Sequence, residues 1–415
     1  MRPSRPLQCS MRIVLVGLLV ALLAPPGFAQ SVASAPLPVS ISNVPDVWHA
    51  DVLSSASVLS LTGADRAVRW LLPTAARSTG GLPKLIRAVE LIGLDFPVAV
   101  FFVGLDHELG HEFRASELHI PARLRVIGSP WSVHPFLLEP DLAFYPMVRG
   151  ASLFDLGMES SGLEAVWLLK DRVEARVLRQ GRVRFGDAVT LLVAATHTPV
   201  YAVSGMGAPR DVGITPQGDI ANYVYQLNEL RWRAGQPDSG DLRATVRARC
   251  MLNLIDLSLW SDVACIWAWL ARGDESRAQA WLGTRGFGLI PSIRYSLTPV
   301  GPEFSVRSHV RVGGTRASAY VRWSERIGNA RQKGAGVTYL APASHGLEPT
   351  IRFDAWSHTL NGGGVRGEVS VATTGWPSRR IGVSVAVGAK SSGYLEGYPL
   401  ARSMYGVVGL NVAVR

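Results

Sequence analysis

The chain has 415 residues, of which 47% are hydrophobic and 18% charged, and its formal net charge is +10. This length allows two or three domains with substantial cores, and this composition excludes a largely disordered chain. The positive charge is too widely spread along the chain to indicate nucleic-acid binding.

The N-terminal segment has the basic start, the apolar run "IVLVGLLVALLAPPGFAQS" and the small-residue exit of a secretory signal peptide. We expect cleavage after Ala29, so residues 1–29 are predicted to be the signal peptide and residues 30–48 a linker. The longest later run that is both apolar and uncharged, residues 96–105, is about half the length that a membrane-spanning helix needs. The protein is therefore expected to be exported, to the periplasm or the outer membrane.

Residues 49–283 carry the periodicity of helices, with proline- and glycine-rich breaks. In "DVLSSASVLSLTGADRAVRWLL" and "LPKLIRAVELIGL" the apolar residues recur at spacings of three and four. The stretch "SSGLEAVWLLKDRVEARVLRQG" opens on serines and closes on Gly181, which predicts a helix with clear ends. Residues 120–157 are rich in proline and aromatic residues and are predicted to form a long loop. This part of the chain is therefore expected to be a helical domain.

Residues 284–415 change to a period of two and predict about eight antiparallel strands separated by turn-rich segments. In "EFSVRSHVRV" and "RASAYVRWS" apolar residues alternate with arginines, so each strand has one apolar and one basic face. This pattern favours a small outer-membrane barrel whose apolar residues face lipid. A soluble β-domain with the same alternation turned inside out remains the alternative, and the chain end "LNVAVR" lacks the final aromatic residue typical of such barrels.

The sequence "DHELGHEF" contains two histidines and a glutamate at a spacing that suits a metal site. On a helix, His107 and His111 project from the same face, about one turn apart, and their imidazoles can converge on one Zn²⁺. Glu108 then lies beside the open coordination position, where a carboxylate can accept a proton from water. The preceding apolar run would bury this helix, and Gly110 would allow another helix to pack closely against it.

This helix resembles that of the zincin metallopeptidases, whose HExxH motif is matched by His107, Glu108 and His111. The metzincin type would place a glycine and a histidine where this chain has Arg114 and Glu117, so that type is disfavoured. The fold class that we expect is α+β, with a helical zincin-like domain over residues 49–283 followed by an antiparallel all-β domain over residues 284–415.

The gluzincin type, which takes its third ligand from a glutamate on a later helix, is favoured. Glu164 in "SSGLEAVW" is the candidate, with Glu159 as the alternate. Glu164 is equally explained as part of a capping box that begins at Ser161. The resemblance implies bound Zn²⁺ and hydrolysis of a peptide or protein substrate, with Glu108 as general base. An oxyanion stabiliser is also needed, and His134, His197 and Tyr223 are candidates by chemistry alone.

Three functions are compatible with these features. The first is an exported zinc metallopeptidase-like protein of the cell envelope, attached to outer-membrane lipid through its β-domain. The second is a non-enzymatic outer-membrane protein in which the "HELGH" sequence is structural or inactive. The third is a soluble periplasmic hydrolase with two domains.

Overall fold

The computed structural model describes residues 33–42, 80–118, 120–128, 136–140, 152–204, 218–233, 235, 242–279, 282–284, 286–327, 331–342, 344–358, 362–373, 381–398 and 400–414. The predicted signal peptide lies outside the described residues, as does the first predicted helix, residues 51–72. In the described part, the α-helices lie between residues 81 and 272, and most strands of a large antiparallel sheet lie after residue 281.

Seven α-helices occur in the described residues: α1 (Gly81–Glu90), α2 (Phe96–Glu117), α3 (Ser152–Gln180), α4 (Phe185–Ser204), α5 (Asp219–Arg233), α6 (Leu242–Cys250) and α7 (Leu257–Arg272). A π-helical turn, Leu91–Asp95, joins α1 to α2, and a 3₁₀ turn, Met251–Ile255, joins α6 to α7. The main core is formed by apolar residues of α2, α3, α4 and α7, including Val103, Leu169, Val189 and Trp269.

The helix α3, most of whose described side chains are buried, crosses α2 at Gly110. A Cβ atom on Gly110 would lie 2.3 Å from the carbonyl oxygen of Ser161 and 2.6 Å from the Cβ of Ala165, so only glycine allows this approach. The crossing brings the histidine face of α2 against the first half of α3. The expectation that Gly110 permits close helix packing is confirmed.

Two local predictions for this region are wrong. Helix α3 begins at Ser152, within the predicted 120–157 loop, so Ser161 and Glu164 lie inside the helix and cannot form a capping box at its start. The same segment also contains an antiparallel hairpin, β2 (Ala122–Val126) and β3 (Phe136–Pro140). Apolar and polar residues are mixed in this segment without clear periodicity, so the sequence pattern did not reveal these elements.

The large sheet has ten strands in the described residues, in the order β1-β14-β13-β12-β11-β10-β9-β8-β7-β6, and all its pairs are antiparallel. The eight predicted strands are β7 (Phe287–Ser296), β8 (Glu303–Val312), β9 (Thr315–Ser324), β10 (Gln332–Leu340), β11 (Leu347–His358), β12 (Gly362–Thr373), β13 (Ile381–Lys390) and β14 (Ser403–Val414). Two further strands flank them, β6 (Leu282–Thr284) and β1 (Ala33–Ser42), and β1 lies in the segment predicted to be a linker. A separate pair, β4 (Arg182–Arg184) and β5 (Ser276–Ala278), lies among the helices.

The two faces of the sheet have opposite chemistry. One face, called here the outward face, exposes large apolar side chains such as Val321, Ile351 and Val369. The other face carries buried charged side chains and packs on α3. There the Arg294 guanidinium bonds to Asp171 of α3 at 2.5 Å, and His309 Nε2 lies 3.4 Å from a Glu174 oxygen. The chain is therefore α+β, with an antiparallel all-β C-terminal part, as the sequence predicted.

One continuous helical stretch in the described residues, Gly81–Glu117, is long and apolar enough to cross a membrane. This stretch contains the apolar run of residues 96–105 and extends it on both sides, so the helix is longer than the apolar run alone indicates. The helices Leu242–Ile255 and Leu257–Arg272 also meet this criterion together, although they are bent by 54°. Core helices of soluble proteins meet it as well, and the second half of the Gly81–Glu117 stretch contributes to the helical core.

Candidate metal centre

The two histidines of "HELGH" project from one face of α2, as their spacing predicts. His107 and His111 are both buried, and their Nε2 atoms lie 3.2 Å apart. Their rings are nearly perpendicular, at an interplanar angle of 77°. The two nitrogens therefore converge on one point between α2 and the neighbouring helices.

The third group at this point is Asp219, the first residue of α5. Its Oδ2 atom lies 2.8 Å from His107 Nε2 and 3.0 Å from His111 Nε2. A tetrahedral zinc ion with ligands at about 2.0–2.1 Å places neighbouring ligand atoms about 3.3 Å apart. The triangle of two nitrogens and one oxygen is close to this size. Within the described part of the chain, these three residues form the group that could hold a metal ion.

The other ring nitrogens of the two histidines already have partners. His111 Nδ1 donates to the carbonyl oxygen of Met158 at 2.8 Å, and Ser161 Oγ lies 3.1 Å from the same nitrogen. His107 Nδ1 lies 3.2 Å from Nε2 of His197 on α4. Metal-binding histidines usually have such a second partner, which fixes the tautomer and turns the free nitrogen towards the ion.

Gly162 of α3 forms the wall of the site opposite α2. A Cβ atom at this position would lie 2.5 Å from His111 Nε2 and 2.6 Å from His107 Nε2. A side chain here would therefore occupy the space beside both ligand nitrogens. The donor set and its size both fit a bound divalent metal ion.

Glu108 lies next to the group without belonging to it. The backbone N–H of Leu138 on β3 donates to Glu108 Oε2 at 2.8 Å, so the β2–β3 hairpin holds this carboxylate in place. The side chain is half-buried, and its negative charge acts on both His111 and Tyr201. This position suits a group that exchanges protons with a substrate or with water beside the site.

The structure does not bring Glu164 into the group. Glu164 Oε2 accepts from Arg114 Nη2 at 3.1 Å, and Oε1 accepts from the backbone N–H of Gly397 at 2.7 Å. Two residues along a helix correspond to a rotation of about 200°, so Glu164 faces away from the side of α3 on which Gly162 meets the histidines. The third member of the group that could hold a metal ion is therefore Asp219 and not Glu164. The alternate, Glu159, is also outside the group, although its charge favours protonation of His111.

Strong electrostatic coupling links Asp219 to His111. Burial lowers the pKa of His111, but the Asp219 carboxylate beside it outweighs burial and raises that pKa to about 10. Burial likewise raises the pKa of Asp219, but His111 and His107 hold it well below its usual range. Without a metal, the site is therefore an imidazolium–carboxylate pair, and a bound metal ion would take the place of the proton that the two groups share.

The two oxyanion candidates within the described residues, His197 and Tyr223, lie in different places. His197 contacts His107 and stacks on Tyr201 of the same helix at an interplanar angle of 11°. Burial, followed by the charge of Asp219, raises the pKa of Tyr201, so its hydroxyl stays protonated. Tyr223 is buried elsewhere and donates to the carbonyl oxygen of Thr298 at 2.8 Å. His134 lies outside the described residues.

Sequence reasoning missed both Asp219 and Tyr201. Asp219 opens a predicted helix, where an aspartate is common for helix capping and so gives no separate signal of metal binding. Tyr201 reaches the site because it lies one turn after His197 on α4. Comparisons with family models, with curated proteins and with solved structures give no match for this chain.

Proposed function

We propose that this protein is a metal-dependent hydrolase of the zincin type that acts on peptide bonds. The observation that carries the proposal is the triangle of His107 Nε2, His111 Nε2 and Asp219 Oδ2, with sides of 2.8, 3.0 and 3.2 Å. Two imidazoles and one carboxylate are a typical ligand set for a catalytic zinc ion, which keeps a further position for water or substrate. Zinc is therefore the metal that the donor set favours.

The residues around the triangle support distinct roles. A bound zinc ion would supply a Lewis acid that polarises a carbonyl and acidifies water. Glu108, held by the Leu138 N–H, is the proton acceptor. The Tyr201 hydroxyl stays protonated and lies beside His107, so it can donate to a developing oxyanion. His197 Nε2 contacts the Nδ1 atom of His107 and so orients the His107 ring.

We further propose that the protein is exported and that the outward face of the sheet contacts outer-membrane lipid. Val365 and Val369 are exposed on this face, whereas Arg366 and Asp354 are buried on the other. An outer-membrane barrel has the same arrangement, with an apolar exterior and a polar interior. Closure of the ten-stranded sheet into a barrel is part of this proposal, because it would pair the strand edges that β1 and β6 present. The competing function is a non-enzymatic envelope protein with the same sheet.

Metal analysis and peptide hydrolysis separate these two functions. We expect purified wild-type protein to contain about one zinc ion per chain and to cleave members of a peptide library. The variant Glu108→Gln should keep its zinc and lose cleavage, because the proton acceptor is removed and the ligands are not. A wild-type protein that binds no divalent metal after zinc supplementation would exclude the hydrolase and leave the envelope protein.

A further inference from the structure

A cavity of about 510 Å³ lies where the ends of β8, β9 and β10 meet the helices. Helices α5 and α6 cover this end of the sheet, where Tyr295 is buried against Val246 and Cys250. On the sheet side, the cavity is lined by Phe304, Trp323 and Lys333. In the strand register Trp323 is paired with Phe304 on one side and with Lys333 on the other. Each is the second or second-last residue of its strand, so the cavity marks one end of the sheet.

Positive charge dominates the lining of this cavity. Five cationic side chains and one carboxylate line it, which leaves an excess of four positive charges: Arg231, Arg249, Arg326, Arg331 and Lys333 against Glu325. The Glu325 carboxylate is bonded to Arg249 and lies 3.6 Å from Arg231, and the Tyr295 hydroxyl donates to it at 3.2 Å. The single acid is thus occupied on the helix side, and the remaining cations lie towards β9 and β10.

The aromatic part of the lining lies next to the cations and continues into the apolar outward face. The Phe304 and Trp323 rings stack with centroids 6.0 Å apart, and the Arg249 guanidinium lies 5.8 Å from the Phe304 ring centroid. Trp323 is 43% exposed, and Val321, two residues earlier on the same face, is 51% exposed. A ligand in the cavity would therefore meet cations next to an aromatic surface that leads to the apolar outward face.

We propose that this cavity binds the phosphate of an anionic lipid headgroup, with the lipid chains along the outward face. Guanidinium groups bind phosphate oxygens in pairs through charge-assisted hydrogen bonds, and several arginines around one cavity suit this geometry. Tryptophan at a strand end is typical of the zone where a membrane meets water. The phosphate site is independent of the metal centre. The proposal that the phosphate belongs to a lipid rests on the proposed contact between the sheet and the membrane.

The test uses the full chain in detergent, with calorimetric titration of three probes at low salt. The probes are short-chain phosphatidylglycerol, short-chain phosphatidylcholine and inorganic phosphate. We expect phosphatidylglycerol to bind about tenfold or more tightly than either of the others, because it alone combines a net negative charge with apolar chains. The affinity should fall as salt is added, and it should not change when a chelator removes metal.

Matched variants locate the site. The double variant Arg331→Gln, Lys333→Gln should weaken phosphatidylglycerol binding about tenfold or more, as expected when charge-assisted hydrogen bonds are lost. The control Arg247→Gln, Lys84→Gln changes two exposed cations outside the cavity and should bind as the wild type does. The variant Arg331→Lys keeps the charge and should restore much of the affinity. Thermal unfolding of each variant establishes that it is folded.

Two results would overturn the proposal in different ways. Equal binding by the cavity variant and its control would show that the cavity is not the site. If inorganic phosphate binds as tightly as phosphatidylglycerol and displaces it, the proposed lipid ligand is excluded and the cavity is a site for free phosphate. Neither result bears on the zinc content of the protein, so a failure here is distinguishable from a failure of the proposed hydrolase.

Discussion

At the scale of single residues, the identity of the third ligand depends on which way two carboxylates on different helices point. Glu164 is buried in an ion pair with Arg114 and is bonded to the backbone of Gly397. Removing one partner of a buried ion pair is costly, so this glutamate has a structural role that a ligand role would interrupt. Asp219 instead bonds to both histidines and is their common anion.

Exchange of each carboxylate for its amide distinguishes the two. Mutation of a residue that only hydrogen-bonds to a metal ligand weakens metal binding by roughly 10–100-fold. We expect Asp219→Asn to weaken zinc binding by at least this factor, because it removes a direct donor. Glu164→Gln should lower stability and leave zinc affinity near that of the wild type. Competition with a chromophoric chelator measures the affinity. The opposite ranking of the two variants would return the third ligand to Glu164.

At the scale of one element, α3 contacts the candidate metal centre with one part and the sheet with another. Its first half places Gly162 against the histidines and Glu164 against Arg114. Its second half carries Asp171 and Glu174, which meet the charged face of the sheet. The helix is continuous over Ser152–Gln180, so its 29 residues carry both sets of contacts.

Alanine substitutions at two glycines of α3 separate the space at the site from the stability of the helix. At Gly157 a Cβ atom would meet its nearest neighbours at 3.6 Å, an ordinary contact, so Gly157→Ala should stabilise the protein by about 0.5–1 kcal/mol and keep zinc. At Gly162 the same atom would displace both imidazoles, so Gly162→Ala should lose most zinc affinity. Denaturant unfolding and zinc titration of both variants give the comparison. Normal zinc affinity in Gly162→Ala would mean that the ligands lie elsewhere.

At the scale of the whole molecule, the charged side chains of the sheet lie on the buried face that packs on α3. Arg366, which is fully buried, bonds to Glu368 at 3.1 Å and lies 3.4 Å from Asp354. Charged groups can be buried only when they have such partners. The outward face then presents a broad apolar surface, larger than the scattered apolar residues of an ordinary soluble protein.

A charge placed in the middle of the outward face tests whether that surface meets lipid. Val369 is 54% exposed and is paired with exposed Ile351 and Val387 on the neighbouring strands. If the face contacts lipid, Val369→Arg should lower the free energy of unfolding by roughly 2–4 kcal/mol and reduce the amount of protein recovered in the outer-membrane fraction. In water, it should change stability by no more than about 0.5 kcal/mol. Ser344→Arg, in the exposed turn between β10 and β11, is the control, and urea unfolding in lipid vesicles is the measurement.

Features that depend on local periodicity and spacing could be predicted from the sequence alone. Alternation located β7 to β14, and the separation of four residues placed His107 and His111 on one helix face, because side-chain direction follows directly from backbone geometry. Tertiary contacts were needed to establish that Asp219 completes the triangle, that Glu164 pairs with Arg114, and which face of the sheet lies inside. These outcomes depend on contacts between residues some 50 to more than 200 positions apart, and no local pattern encodes the direction in which two packed elements meet.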